Sequence, residues 1–156
     1  MTNLLHEQLE ASADAAARTF LEHGRFGALW HMITADGESL FVGPISPDKN
    51  TQIAMVKALM VIRRVVRYVF VDEAWILECD QSELDQTYRD GIRNHPRRKE
   101  VLLISAEDQS LGMVMAHREI IREKGRPKLG PLVIHSDLKQ SEGRMIGLLP
   151  PVGTRQ

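Results

Sequence analysis

The run Tyr68-Val-Phe-Val-Asp-Glu-Ala-Trp-Ile-Leu-Glu78 constrains the fold more than any other stretch of the chain. It is dense in β-branched and aromatic residues, contains neither glycine nor proline, and reads as the clearest strand, placed centrally in a sheet. Side chains alternate along a strand, so Val69, Val71, Glu73, Trp75, Leu77 and Cys79 share one face. All but Glu73 are apolar. A carboxylate buried unpaired in such a row costs on the order of several kcal/mol, so Glu73 is expected to have a partner, with Arg118, Arg122, His31 and His117 as candidates.

The flanking sequence supplies helices and more strands. Leu5, Leu9, Ala13, Ala16, Ala17, Phe20 and Leu21 recur at helical spacing, and Gly24 stands where a left-handed cap would end that helix. Residues 1–24 therefore predict an amphipathic helix whose thin, alanine-rich stripe suits a position on the domain surface or against a partner. Phe26–Thr34 and Ser39–Val42 predict a hairpin about Asp36-Gly37. Ser46-Pro47-Asp48 predicts the start of a second, core helix running to about Arg67, which would set Lys57, Arg63, Arg64 and Arg67 in a basic stripe on its outer side. Residues 79–94 read as a polar helical or irregular excursion, Val101–Ser105 as a buried strand, and Asp108–Gly112 as a turn. Met113–Arg122 reads as a strand with helix as its alternative, and Leu132–His135 and Met145–Leu149 as short strands around a turn at 141–143.

Short turns between strands favour antiparallel pairing. The expected fold is one α+β domain over 1–156: a mostly antiparallel sheet of about five to seven strands, with the N-terminal helix and the second core helix packed on one face. Residues 150–156 are expected to be extended or disordered.

Charge and cysteine content narrow the classes. One cysteine, Cys79, precludes an intramolecular disulfide and a multi-thiolate zinc site. No apolar run approaches a membrane span, and the acidic N-terminal stretch lacks the basic start of a secretory signal, so a cytoplasmic location without membrane contact is expected. Residues 1–50 carry three basic and seven acidic groups, and the remainder 17 basic and 14 acidic. That polarity differs from the strongly basic balance of a dedicated nucleic-acid binder.

Three motifs carry chemical suggestions. Val69-Phe-Val-Asp-Glu-Ala-Trp75 resembles the Walker B strand of P-loop ATPases, above all the DEAW version of conjugation-type motors. The resemblance implies a magnesium-holding role for Asp72 and a water-polarising role for Glu73. The phosphate-cradling loop that completes such a site is absent from the sequence, and the resemblance covers about eight residues. His117-Arg118-Glu119 carries the H-x-E half of a deaminase site without its P-C-x-x-C half. On a strand His117 and Glu119 would share a face and could act as acid and base or, with His31, as metal ligands. Arg93, His95, Arg97, Arg98 and Lys99 form a basic cluster suited to phosphate or carboxylate, which the helical Arg63, Arg64 and Arg67 could extend.

The leading functional expectation is a non-enzymatic interaction module, without a cofactor or a bound metal, that self-associates or binds a protein partner. A small hydrolase or nuclease built on Glu73, His117 and Glu119 is the alternative from another class. Phosphate or nucleic-acid binding through Arg63, Arg64, Arg67, Arg97, Arg98 and Lys99 is the third and less favoured reading.

Overall fold

The computed structural model describes residues 3–77, 80–92, 95–135 and 147–149. Helix α1 spans Leu4–His23. Asn3 caps its start by accepting from the amides of Leu5 and His6, and Gly24, at φ 75°, ends it with its N–H on the Phe20 carbonyl. Strands β1 (Leu29–Thr34) and β2 (Ser39–Val42) form the expected hairpin. Its turn is the three-residue kind: the Gly37 amide donates to Thr34, and in this turn only Gly37 takes positive φ, at 84°.

Helix α2 spans Lys49–Ile62, with Asp48 as the capping residue. The sequence pointed to Ser46 as the cap and to Arg67 as the end; both boundaries move inward. Ser46 instead accepts from the Asp48 amide, and the chain turns out of the helix where Arg64 adopts φ 51°. The Arg64 carbonyl then accepts from Ala35 in the hairpin turn, and the β-branched pair Val65-Val66 starts the next strand. Arg63, Arg64 and Arg67 are thus not a helical stripe.

Strand β3 runs Val65–Ile76, and a 3-10 turn (Gln81–Glu83) leads into the short α3 (Leu84–Asp90). Strands β4 (Lys99–Asp108), β5 (Gly112–Ile121), β6 (Lys128–Leu129) and β7 (Val133–His135) complete the set. The segment with a helical alternative, residues 113–122, is strand to Ile121. The sheet order is β2-β1-β3-β4-β5-β6, with β7 also on β5, and every pairing is antiparallel. The chain is an α+β protein, with β3 central as expected. The turn at 141–143 and the tail 150–156 lie outside the described residues, and Gly147–Leu149 are not strand.

The two long helices lie on opposite faces of the sheet, where the sequence led us to expect one. Tyr68, Val69, Phe70 and Val71 are all buried, so β3 is apolar on both sides and needs cover on both. Helix α1 supplies Leu5, Leu9, Ala13 and Ala16 against Val69, Val71, Ile104 and Ala116. On the other face α2 supplies Val56 and Met60 against Trp30, Met32, Tyr68 and Phe70, joined by Leu148 and Leu149. Each fully buried large apolar side chain contributes about 1.5–3 kcal/mol. Polar groups anchor this second layer: the Tyr68 hydroxyl accepts from Leu148 N, and Glu107 accepts from Leu149 N. Burial, with the Glu107 charge adding to it, pushes the Tyr68 hydroxyl far above its ordinary range.

Candidate interaction groove beside helix α1

Helix α1 packs over β3, β4 and β6, leaving the same face of the β1–β2 hairpin bare among the described residues. A groove of about 290 Å³ results, open along one side. Its floor is Leu29, His31, Phe41, Val69 and Val71, and its wall is the small-residue row Ala11, Ser12, Ala15 and Thr19 of α1, with Gln8 at one end. A shallower cleft lined by His23, Arg25, Glu73 and the Gly43-Pro44 turn shares Thr19, Phe26 and Leu29 with it, so the two form one trough.

His31 orders the upper end. Gln8 Nε2 donates to the His31 carbonyl at 3.1 Å and lies 3.3 Å from its Nδ1. With Nδ1 accepting, the ring proton sits on Nε2 and points at Ser39 Oγ, 3.2 Å away. Burial lowers the His31 pKa from its ordinary value, which favours this neutral form. The ring stacks on Phe41, with centroids 4.4 Å apart and the two planes within 5° of parallel. Phe41 is itself 67% exposed, the most open aromatic residue among those described.

Glu73, His117 and Glu119, the catalytic set suggested by the sequence, do not converge. Glu73 lies on the α1 face, where Arg122 Nη2 approaches at 3.7 Å while its fork holds Glu100 at 2.6 and 2.8 Å. Arg122 was one of the partners expected for Glu73, and it is shared between two carboxylates. His117 and Glu119 alternate with Ala116, Arg118 and Ile120 along β5 and therefore point to the α2 face. The sheet itself separates them from Glu73. Nδ1 of His117 meets His135 Nε2 at 2.7 Å, which ties β7 to β5. Asp72 also points away from Glu73. Its carboxyl accepts from the Glu73 amide, and burial, with the adjoining Glu73 charge, raises its pKa despite Lys49. Among the described residues no three His, Cys, Asp or Glu side chains are grouped as metal ligands.

The arginines expected to form one basic surface fall into two groups at opposite ends of β3. Arg67 faces Asp108 at one end and Ile76 faces Lys99 at the other, about 30 Å apart at the rise of a strand. Arg63 pairs with Glu38 and Arg64 with Asp36, both on the hairpin turn, and Arg67 holds Asp108 at 2.8 Å. At the far end Arg97 pairs with Glu83, and Arg98 lies over the Trp75 ring, 4.6 Å from its centroid. Lys99 is exposed, and Arg93 lies outside the described residues. Five of the six cations are thus occupied within the molecule.

Sequence reasoning marked α1 as a contact surface and named His31 as a partner for Glu73 or a metal ligand, but it missed Gln8, Phe41 and the place of His31 in this groove. The signal was present in β2, where Phe41 alternates against the inward-facing Leu40 and Val42. Among the described residues no helix is long and apolar enough to cross a membrane. No family model, curated protein or solved structure matches the chain.

Proposed function

We propose that this protein is a non-enzymatic interaction module that binds another macromolecule through the trough between α1 and the β1–β2 hairpin. The observation that carries this reading is the hairpin face left bare among the described residues: a sheet face apolar enough to form core, with an exposed aromatic residue at its margin and a helix wall of alanine, serine and threonine. Exposed apolar surface of this kind, bordered by polar side chains, is the ordinary mark of a binding site. Separation of Glu73 from His117 and Glu119 removes the support for the hydrolytic alternative. The phosphate-binding alternative loses support because its arginines already hold internal carboxylates or a tryptophan ring.

Filling the trough from the helix side tests the reading. Ala15 is exposed and lines the wall, so Ala15→Trp leaves the core untouched. In extracts of the native cells the wild-type chain should elute in a species heavier than its own 17.7 kDa, and the variant at the size of the free chain. Elution of both at the size of the free chain would contradict the proposal.

A further inference from the structure

We infer that the outer face of α2 is a second contact surface, and that its occupant is the same face of a second copy of this chain, laid antiparallel. The sequence led us to expect Lys57, Arg63, Arg64 and Arg67 along this side, but the helix ends at Ile62 and the three arginines lie beyond it. What remains outward is Thr51, Ala54, Met55, Ala58, Val61 and Ile62, within about 120° of arc at about 100° per residue. All six are exposed, Met55, Val61 and Ile62 by 43%, 51% and 74%, and none is charged. The opposite side of α2 buries Val56 and Met60. A helix apolar on both sides is built to be covered on both.

Size order selects the partner. Ala54, Ala58 and Ile62 stand one turn apart in a row that runs small, small, large. About a two-fold axis at Ala58, an antiparallel copy sets Ile62 over Ala54 at both ends and Met55 beside Val61 between them. The alanines at the crossing bring the axes to the near end of the roughly 8–10 Å range of packed helices. A parallel copy sets Ile62 on Ile62, leaves Ala54 facing Ala54 across a gap, and aligns the helix dipoles unfavourably. Charge does not oppose the antiparallel pair. Asp48 caps the helix, Lys49 acts on Asp72, and Arg63 and Arg64 hold Glu38 and Asp36. Lys57 stands on the flank, and the axis puts both copies' lysines on one side of the pair. On flexible stems their ammonium groups sit further apart than the Debye length of about 8 Å at physiological salt, which screens the repulsion. A bilayer, the other cover for an apolar helix face, calls for a row of cations beside it, and among the described residues Lys57 alone stands there. Six residues a side fall short of the roughly 20–30 of a stable interface, so the pair forms at high concentration and dissociates in a dilute extract. Because α1 and α2 cover opposite faces of the sheet, pairing leaves the trough of each copy open and gives a two-headed module.

Sedimentation equilibrium of the purified chain from about 10 µM to 1 mM tests the pairing. The mass should rise from 17.7 kDa toward twice that value, with the same curve for Ala15→Trp. Ala58→Arg, at an exposed position, should hold the chain at 17.7 kDa throughout. Ile62→Ala opens a gap and Ala54→Ile sets isoleucine against isoleucine, so each should weaken pairing roughly five- to tenfold. Together they exchange the sizes and should restore pairing to within about twofold of wild type. Circular dichroism melts check that each variant folds. A single 17.7 kDa species at every concentration, or a dimer that Ala58→Arg leaves intact, overturns the inference. A dimer lost in Ala15→Trp belongs to the trough and overturns it as well. So does a double variant no tighter than the single ones, because indiscriminate apolar contact needs no exchange of sizes. A chain that stays monomeric yet binds vesicles of anionic phospholipid through Ile62 overturns it in favour of a bilayer.

Discussion

Replacing Asp108 by alanine should destabilise the fold more than any other single surface-proximal change, and the reason is visible atom by atom. Asp108 Oδ2 accepts from Arg67 Nε at 2.8 Å, while Oδ1 accepts from Ser110 N and Leu111 N at 2.8 and 2.9 Å, closing the β4–β5 turn. The side chains are 16% and 6% exposed, so the alanine variant leaves a mostly buried guanidinium without its carboxylate. Breaking a buried pair in this way costs about 3–5 kcal/mol. Because water still reaches part of Arg67 and can replace the turn bonds, the lower part of that range is expected, about 3–4 kcal/mol. For a chain of this length each kcal/mol moves the melting temperature by about 2–4 °C, so a fall of about 10 °C should be seen. Urea unfolding followed by circular dichroism reads the change as a lower midpoint at constant slope. Asp108→Asn keeps an acceptor for the turn amides but loses the charge and the acceptor for Arg67, so it should lie between wild type and alanine. Burial pushes the Asp108 carboxyl up, but the bond from Arg67 and the turn amides outweigh it and hold the pKa below the usual value. An acid shifted downward contributes stability that is present above its unfolded pKa of about 3.9 and lost as pH falls through the folded value. The penalty of Asp108→Asn should therefore be constant from pH 7 to about pH 5 and shrink below pH 4. A cost under about 1 kcal/mol for the alanine variant would refute the buried-pair account and return Arg67 to the set of arginines free for a ligand.

Asp72 is shifted the other way, so its native state binds the proton more readily than the unfolded chain and stability is lost as pH rises from about 4. Asp72→Asn, which keeps the acceptor for the Glu73 amide, should raise the melting temperature at pH 7 and give no gain at pH 4; a loss at pH 7 would contradict this. His31 is held below its ordinary pKa, so protonation favours the unfolded chain, and stability should decline as pH falls below about 6.5. Replacing His31 by Gln should flatten that slope, as read from urea midpoints across the range. Gln52 Oε1 accepts from the amides of Ile45 and Ser46 at 2.6 and 2.8 Å, and loss of a buried acceptor costs about 1–3 kcal/mol, so Gln52→Ala should destabilise by that amount without touching α1. Retention on immobilised DNA at low salt should be no greater than that of a protein of equal net charge, because Arg63, Arg64, Arg67 and Arg97 already pair internally.

How far the sequence could be read depends on whether the determining contacts were local. Strand β3 was legible because its composition is unambiguous, and α1 because its apolar residues recur at helical spacing and Gly24 acts within a turn of its end. The end of α2 was not legible: Arg63 and Arg64 are good helix formers, and what stops the helix is the hairpin turn receiving the Arg64 carbonyl and both guanidinium groups. Placement of the helices was implicit in Tyr68–Val71, where both alternating sets are apolar, although period alone does not say which helix takes which side. The face of Glu73 could be read from alternation, and its partner could only be narrowed, because Arg122 reaches it through the register of two further strand pairs. The basic clusters mislead for the same reason. Their charges are evident in sequence, while Glu38, Asp36 and Asp108 meet them only in the folded sheet. Of the groove, the wall of α1 was legible in its small residues, whereas the floor needs the hairpin to swing beneath it.

The most direct test of the account is photocrosslinking in the native cells, with benzoylphenylalanine placed at Phe41 in one variant and at exposed Ile62 on α2 in another. The trough predicts a discrete adduct from Phe41, its loss when Ala15→Trp is added, and no matching adduct from Ile62. An adduct of the same size from both positions, or one from Phe41 that persists with the trough filled, would contradict it.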